Sequence, residues 1–491
     1  MNGSFDNVQR IVLHGYAWKQ CRHLVLSFPE RSRPLGFLQS LKKSAHWPTS
    51  SGAERPHIQL SLGFSRRGLE QAFVPPYVLA IFAMKSPAFM AGAAVRASSQ
   101  LGAKGSDAPE SWVGAFGFLT LDAVLSVHAQ EKDGADNPVA AINELANAYG
   151  VKVTELPKGS SLPKPPGVVV PPWSPDWSPT WDPHWGHEPE PQWTHFGYRD
   201  GLSRVGIEGH TKQKKLATYK PISIHPAGEF VLGHPQSGGA NPWISGPGSR
   251  VWPDEIRTFF ANGSFGVLHQ VEQHVKEFEQ FVNDKAQVLD MNPEALKAKL
   301  CGRQTNGLPL AAKNGAGPTA DFDYTLDQKG YACPFGSHMR RMNPRGDSLA
   351  HEARQRPLLR RGMPYGPDWY ATTDDDTARG LLGHFFCASI EDQFEHLIGQ
   401  WADRVPLGSK DRGRARDPLI GAHEGGDGDF FINRAPLLAP LQPREPLRLR
   451  GLKAFTSTRG TAYLFYPSLH TLEGIANNSM WRPSADDEED A

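Results

Sequence analysis

The sequence predicts an α+β fold in which amphipathic helices pack on one face of a sheet. Two observations predict it: short segments in which apolar and polar residues alternate, and longer segments whose apolar residues recur at helical spacing. Both kinds of segment occur in each half of the 491-residue chain, on either side of a long break rich in proline and tryptophan.

The N-terminal half contains three strand-like segments. In HIQLSLGFS (residues 57–65) every second residue is apolar, which predicts a half-buried strand. The segment HLVLSF (23–28) repeats this alternation, and VLSV (124–127) is the third candidate.

The C-terminal half combines strand-like segments with clearer helices. EFVL (229–232) and GTAYLFY (460–466) are the predicted strands. Apolar residues spaced three and four apart predict two helices that each pack one stripe on a sheet. The two series are Val271, Val275, Phe278 and Val282, and Ile390, Phe394, Leu397 and Trp401.

A compositional break covers residues 156–193, where four tryptophans recur at every fourth position among many prolines. Proline at this density excludes a helix and favours turns or polyproline II. In one interpretation the insert packs on the surface or on a neighbouring subunit; in the other it is a lid, a partner site or a surface redox site. We therefore expect an N-terminal half (8–155), the insert (156–193), a C-terminal half (194–478) and a solvated acidic tail (479–491).

Composition excludes several classes of function. The chain has 52 Lys and Arg residues against 52 Asp and Glu, so it lacks the basic field of nucleic-acid-binding proteins and polybasic membrane anchors. No segment approaches the roughly 18 apolar residues of a membrane-spanning helix. The N-terminus lacks the basic and apolar regions of a secretion signal, so we expect a cytoplasmic protein. The four cysteines are too dispersed for a disulfide framework or a thiolate zinc site.

The densest group of chemically active side chains lies in CPFGSHMRRMNPR (333–345) and the following LLRRGMPYG (358–366). His338 is flanked by Arg340, Arg341 and Arg345, and arginines near a metal-binding histidine suit an anionic cofactor. A lone histidine in such a segment is more often structural.

A second group is GYRDG (197–201), which places Asp200 between glycines. An aspartate between glycines in a turn usually forms an Asx-turn or caps a helix. It gains significance only in combination with the histidine and arginine segments.

Together these three segments resemble the dye-decolourising peroxidase family. GYRDG is similar to its GxxDG motif, CPFGSHMRRMNPR to its proximal-histidine segment, and LLRRGMPYG to its distal-arginine segment, in the same order and spacing. Further similar stretches cover most of the chain outside the insert. The resemblance implies two ferredoxin-like α+β halves with antiparallel sheets and packed helices, and a haem in the C-terminal half.

The resemblance also implies roles for individual residues. His338 matches the proximal ligand of a haem iron, and Asp417 in DPLIG (417–421) is the candidate acceptor for its other ring nitrogen. Arg345 is the candidate partner of a haem propionate, with Arg340 and Arg341 as alternatives. One haem b is expected per chain.

On the distal side, Asp200 matches the family's aspartate and Arg360 its arginine. Asp200 would move a proton between the two oxygens of hydrogen peroxide, and Arg360 would stabilise the charge that develops as the O–O bond breaks.

Three positions depart from the family pattern. Gly383 and His384 replace bulkier apolar residues expected beside the distal pocket, and Val205 replaces a proline after the GxxDG turn. The glycine is expected to widen the pocket. His384 either points outward from its strand, which we favour, or supplies a second distal imidazole.

The sequence thus predicts a haem peroxidase that reduces hydrogen peroxide and oxidises a small-molecule reductant such as a dye or a phenol. The alternative is a haem sensor or carrier with the same fold and little turnover, and a scaffold without a cofactor is a third interpretation. Retention of Asp200 and Arg360 favours the enzyme, while Gly383 and His384 favour the alternative. No nucleic-acid or membrane partner is expected, and the sequence leaves homo-oligomerisation open.

Overall fold

The computed structural model describes most of the chain, with gaps between its described segments. The described residues are 4–15, 18–28, 32–44, 46–50, 56–116, 120–170, 192–202, 205–211, 223–237, 243, 252–312, 322–346, 356–371, 377–403, 415–436 and 444–480. The tryptophan repeat of the insert and residues 481–491 of the acidic tail lie outside them.

The strands of the N-terminal half form one antiparallel group. They are β1 (Gln20–Ser27), β2 (Ile58–Phe64), β3 (Ala123–Ala129), β4 (Lys152–Glu155) and β5 (Gly159–Ser160). β3 pairs with β1 and β2, and β4 and β5 both pair with β1. The three strands predicted in this half are therefore confirmed.

The remaining described strands follow the insert. They are β6 (Gln192–Trp193), β7 (Arg199–Asp200), β8 (Val205–Ile207), β9 (Ser223–His225), β10 (Ser264–Gln273), β11 (Leu359–Arg360), β12 (Met363–Tyr365), β13 (Gly380–Cys387), β14 (Gly428–Arg434), β15 (Arg444–Leu452) and β16 (Thr456–Tyr466). β10 lies between β13 and β16, and β11 and β12 both pair with β13.

The described helices pack around these strands. They are α1 (Arg10–Leu13), α2 (Ser32–Lys43), α3 (Arg66–Gln71), α4 (Pro76–Lys85), α5 (Pro87–Ala91), α6 (Ala93–Gln100), α7 (Asp136–Ala148), α8 (Asp254–Phe260), α9 (Val275–Val288), α10 (Pro293–Cys301), α11 (His338–Met342), a π-helix (Ile390–Ala402) and α12 (Leu469–Asn477). None of these helices has both the length and the apolar character needed to cross a membrane.

The sheets of the two halves join at their edges. Phe465 of β16 pairs with Phe64 of β2, and Tyr365 of β12 pairs with Gly159 of β5. Since β10 also pairs with β13, eight strands close into a ring in the order β10, β16, β2, β3, β1, β5, β12, β13. The fold is α+β with antiparallel pairing in this sheet, as predicted.

Three details of the sequence prediction are wrong. β2 is buried on both faces from Gln59, which is only 1% exposed, to Phe64. Its polar face is not solvated because the strands close into a ring, and the Tyr466 ring of β16 lies against Gly63 on that face. EFVL forms a 3-10 turn, Ala227–Glu229, followed by buried but irregular chain, because a buried apolar run does not require strand pairing. The helix predicted from Val271 starts at Val275, and Val271 itself belongs to β10.

Candidate functional site

A cavity of about 440 Å³ lies against the C-terminal sheet. Alternate residues of β10 and β13 supply one part of its wall, and the π-helix and α11 supply others. The apolar lining includes Val271, Leu381, Phe385, Phe394, Leu397, Ile398, Trp401, Met339, Leu419 and Ile420. The N-terminal half also contributes, through Leu101, Gly102, Ala103, Asp107 and Trp112.

His338 and Asp417 form a hydrogen-bonded pair at this cavity. His338 is the first residue of α11 and lines the cavity, with 29% of its side chain exposed. Its Nδ1 lies 3.0 Å from Oδ2 of Asp417, a carboxylate with no exposed surface. This bond orients the imidazole and leaves Nε2 as the ring nitrogen available to a ligand.

A tight turn fixes the Asp417 carboxylate. Its Oδ1 accepts hydrogen bonds from the backbone N–H groups of Leu419 and Ile420, at 2.9 and 3.1 Å. A Cβ at Gly421 would lie only 2.6 Å from the Asp417 carbonyl oxygen, so the turn requires glycine at that position. The local sequence DPLIG therefore positions the Asp417 carboxylate that accepts the hydrogen bond from His338.

The Asp417 carboxylate is held in its ionised form. Burial by itself raises the pKa of this carboxyl, but the neighbouring His338, Arg341 and the Leu419 N–H outweigh burial and lower the pKa below its ordinary value. A carboxylate in this state accepts a strong hydrogen bond from an imidazole N–H.

The three arginines that follow His338 occupy different environments. Arg340 is 2% exposed, pairs with Asp327 at 3.1 Å and lies over the rings of Tyr324 and Phe335. Arg341 is buried and donates to the carbonyl oxygens of Trp401 and Ala415, and burial lowers its pKa to about 10. Both bind other parts of the protein.

Arg345 differs from its two neighbours because it lines the cavity. Its guanidinium lies 4.5 Å from the centre of the Phe322 ring. Of the three arginines weighed as partners of an anionic group, Arg345 is the one that the cavity wall includes.

The backbone of GYRDG explains its two glycines. Gly197 and Gly201 have φ angles of 83° and 75°, a region that other residues rarely adopt. A Cβ at Gly197 would also lie 2.5 Å from the Tyr370 hydroxyl. Between them, Tyr198 donates through its hydroxyl to the Lys297 carbonyl, which anchors the turn that presents Asp200.

Asp200 and Arg360 come together from distant parts of the sequence. Both line the cavity, and Oδ1 of Asp200 lies 3.8 Å from Nη1 of Arg360. Their side chains keep 41% and 46% of their surface exposed, so both remain accessible to a small molecule. The next residue, Arg361, instead donates to the carbonyl oxygens of Ile11 and Val12.

His384 lies on the face of β13 away from the cavity. It is fully buried, its Nε2 lies 2.8 Å from the Tyr466 hydroxyl, and its ring contacts that of His23. Burial lowers its pKa well below the ordinary value. The His384 side chain therefore points away from the cavity, as the sequence interpretation favoured. It points into the protein interior and not towards solvent.

Gly383 lines the cavity but leaves no empty space there. A Cβ at this position would lie 2.5 Å from Cε2 of Phe385, so the Phe385 ring already fills the space. The expectation that glycine widens the pocket is wrong for this reason.

The sequence interpretation missed several polar residues in the cavity wall. His225 and His269 line it, and burial lowers the pKa of His269 to about 4. Asp403 also lines it, and burial raises its pKa to about 6. Once β10 is known, the alternation of side chains along the strand places His269 on the same face as Val271. No local motif marks His225 or Asp403.

The side chains of the cavity that could bind a metal suit an iron that a macrocycle already coordinates. Within the part of the chain that the structure describes, no three His, Cys, Asp or Glu side chains are arranged to hold a metal ion. A bare ion typically needs about four protein ligands, whereas a haem iron needs one axial imidazole. The apolar wall, His338 and Arg345 provide the surroundings that a haem requires.

Comparison with known proteins identifies relatives over most of the chain. Dye-decolorizing peroxidase msp1 of Mycetinis scorodonius is 25% identical over 452 residues, which covers 86% of this chain and 77% of the relative. The multifunctional dye peroxidase of an Amycolatopsis species is 33% identical over 178 residues, 32% of this chain and 38% of that protein. No family model matches the chain.

Solved structures share the fold. A dye-decolorizing peroxidase in complex with 2,6-dimethoxyphenol superposes with a TM-score of 0.70 at 22% identity, covering 96% of this chain and 99% of that one. A fungal DyP-type peroxidase from Auricularia auricula-judae gives 0.70 at 21%, with 97% and 99% covered. The similarity in sequence and in fold confirms the resemblance seen in the motifs: over most of its length the chain is similar to dye-decolourising peroxidases.

Proposed function

We propose that the chain is a haem peroxidase that binds one haem b in the cavity through His338, reduces hydrogen peroxide and oxidises an organic reductant. The observation that carries the proposal is the presence of two polar pairs, His338 with Asp417 and Asp200 with Arg360, around one largely apolar cavity. The haem supplies the redox chemistry when bound, and the protein residues position the reactants and move the proton.

His338 would bind the haem iron through its Nε2 atom. The 3.0 Å hydrogen bond to Asp417 supports it, because an ionised carboxylate increases the basicity of an imidazole whose other nitrogen binds a metal. Arg345 would hold a carboxylate of the haem, since a guanidinium binds a carboxylate strongly.

Asp200 and Arg360 act on the peroxide. The carboxylate of Asp200 accepts the proton from one peroxide oxygen and returns it to the other, which leaves as water. The guanidinium of Arg360 provides fixed positive charge for the developing negative charge and needs no proton transfer. Their 3.8 Å separation lets both groups reach one small molecule.

The reducing substrate is a small organic molecule of the dye or phenol class. One protein with this fold is a complex with 2,6-dimethoxyphenol, which supports a phenolic reductant here. We also propose that the chain acts in the cytoplasm. The haem sensor or carrier interpretation relied on Gly383 and His384. The His384 side chain lies behind β13, and the Phe385 ring fills the space beside Gly383, so neither residue supports it.

The test is to load the purified protein with haem and measure peroxide-dependent oxidation of 2,6-dimethoxyphenol. We expect turnover by the wild type and, in His338→Ala, loss or strong weakening of haem binding measured by the Soret band. A wild type that binds haem without peroxide-dependent turnover would favour the carrier. Wild-type haem content in His338→Ala would remove the ligand assignment.

A further inference from the structure

Arg341 and His338 extend from the same short helix to one segment of the chain, residues 415–421, which we call the Asp417 segment. They are three positions apart on α11, so their side chains are neighbours on the helix surface. Nδ1 of His338 lies 3.0 Å from Oδ2 of Asp417. Nη2 of Arg341 donates to the Ala415 carbonyl oxygen at 2.6 Å. The helix therefore contacts the Asp417 segment at two points.

The same guanidinium joins the Asp417 segment to the end of the π-helix. Nη1 of Arg341 donates to the Trp401 carbonyl oxygen at 2.9 Å. The carbonyl oxygen of the next residue, Ala402, accepts from the Asp417 backbone N–H at 2.7 Å. Because a guanidinium presents its N–H groups in a rigid plane, it fixes carbonyl groups of two separate segments relative to each other. The ammonium group of a lysine lacks this planar geometry.

Arg341 remains charged and lies behind the cavity. It is 6% exposed, and burial lowers its pKa to about 10, while the charges of Asp417 and Asp403 oppose that shift. The cavity wall includes His338 but does not include Arg341. The hydrogen bonds of Arg341 can therefore affect a bound haem only through Asp417 and His338.

We propose that Arg341 is a positioning residue of the haem site, which holds the Asp417 carboxylate within hydrogen-bonding reach of His338. This proposal rests on the proposed function, in which His338 binds the haem iron. A hydrogen bond to a metal-binding imidazole orients its ring and increases its basicity, and loss of such support typically weakens metal binding about 10- to 100-fold. Arg341 thus determines how tightly haem binds without contacting it.

The first test removes the guanidinium and keeps the positive charge. In Arg341→Lys we expect the dissociation constant for haem, measured by Soret titration of the apoprotein, to rise about tenfold. Arg341→Gln also lacks the guanidinium plane; we expect a rise in the same direction, and this variant serves if the lysine variant does not fold. Unchanged affinity for haem would refute the role of Arg341.

Arg340→Lys is the matched control. Arg340 is the adjacent buried arginine of α11, and it donates to Asp327 and to the Cys333 carbonyl oxygen. We expect the affinity of this variant for haem to equal that of the wild type. An equal rise of the dissociation constant in Arg340→Lys and Arg341→Lys would indicate a general loss of packing and overturn the specific role of Arg341.

A double-mutant cycle tests whether Arg341 acts through Asp417. Residues that act through one another give non-additive effects. Once Asp417→Asn has replaced the acceptor, we therefore expect Arg341→Lys to change the affinity for haem by less than about twofold. The same tenfold loss in the presence and in the absence of Asp417→Asn would overturn the proposal.

A measurement on the apoprotein separates this proposal from the proposed function. The proton on Nδ1 of His338 is observed by NMR with isotope-labelled histidine and assigned by its loss in His338→Ala. We expect the bond to Asp417 to shift this resonance downfield in the wild type, and Arg341→Lys to move it upfield and broaden it. Absence of the resonance in the wild type, or an unchanged resonance in Arg341→Lys, overturns the role of Arg341. A wild type that binds no haem refutes the proposed function, while the resonance still decides whether Arg341 positions Asp417.

Discussion

The hydrogen bond between His338 and Asp417 gives a quantitative prediction for Asp417→Asn. The asparagine keeps an oxygen for the N–H groups of Leu419 and Ile420, so the turn is retained. Its amide N–H replaces the Oδ2 atom that lies 3.0 Å from Nδ1 of His338. An amide donor at this position favours the tautomer with its proton on Nε2, and that proton blocks ligation through Nε2.

The magnitude follows from the kind of bond that is lost. A hydrogen bond to a charged group contributes about 1.5 to 3 kcal/mol, and substitution of such a partner typically weakens metal binding about 10- to 100-fold. We therefore expect the dissociation constant for haem, measured by Soret titration of the apoprotein, to rise by about one to two orders of magnitude in Asp417→Asn.

A matched variant controls for the loss of a buried carboxylate. Asp429→Asn removes another buried carboxylate, one that pairs with Arg448 at 2.6 Å and does not contact His338. We expect its affinity for haem to equal that of the wild type. If Asp417→Asn also binds haem as tightly as the wild type, the proposed support of the axial ligand is refuted.

Three further predictions concern the remaining polar residues of the cavity. Arg360→Leu and Asp200→Asn should retain haem but slow its reaction with hydrogen peroxide by about 10²-fold or more in stopped-flow measurements, and full reactivity in both would contradict their roles. Arg345→Ala should weaken haem binding in a Soret titration without lowering the melting temperature of the apoprotein, and unchanged affinity would exclude the propionate contact. In the apoprotein, Asp403→Asn retains an oxygen that accepts from the Ala422 N–H. Its effect on the free energy of unfolding depends on pH, because burial raises the pKa of Asp403 from 3.8 to about 6. The free-energy penalty for ionising the buried Asp403 is absent below about pH 3.8 and complete above about pH 6. In urea unfolding, the free energy of unfolding of Asp403→Asn should therefore exceed that of the wild type by up to about 3 kcal/mol at pH 7 and equal it at pH 3.5. An equal gain at both pH values would disprove the linkage.

Local sequence predicted the parts of the site that local structure builds. The positive φ angles of Gly197 and Gly201 and the turn after Asp417 are properties of a few adjacent residues, and they appear as short motifs. The resemblance of those motifs to a known family named Asp200 and Arg360, although 160 positions separate them along the chain and only the fold brings them within 3.8 Å.

Residues whose environment depends on distant packing could not be placed from the sequence. Arg340 and Arg345 look equivalent in the sequence, yet Asp327 and two aromatic rings bury the first while the second lines the cavity. The filling of the space beside Gly383 depends on the rotamer of Phe385, which a pattern of alternating residues does not specify.

The same limit applies to the fold. Periodicity identified β2 but predicted one solvated face, since it does not reveal that the strands of both halves close into one ring and that Gln59 is buried there. The π-helix Ile390–Ala402 was predicted as an ordinary helix, because an apolar stripe at spacings of three and four residues does not distinguish the two hydrogen-bonding patterns.

The most direct measurement of whether this cavity supports peroxide reduction is a stopped-flow absorption experiment. The haem-loaded protein is mixed with about one equivalent of hydrogen peroxide, followed by an organic reductant. We expect rapid loss of the resting Soret band and its return when the reductant is added. A resting spectrum with six-coordinate iron that does not respond to peroxide would contradict the proposed function and indicate a protein that carries or senses haem.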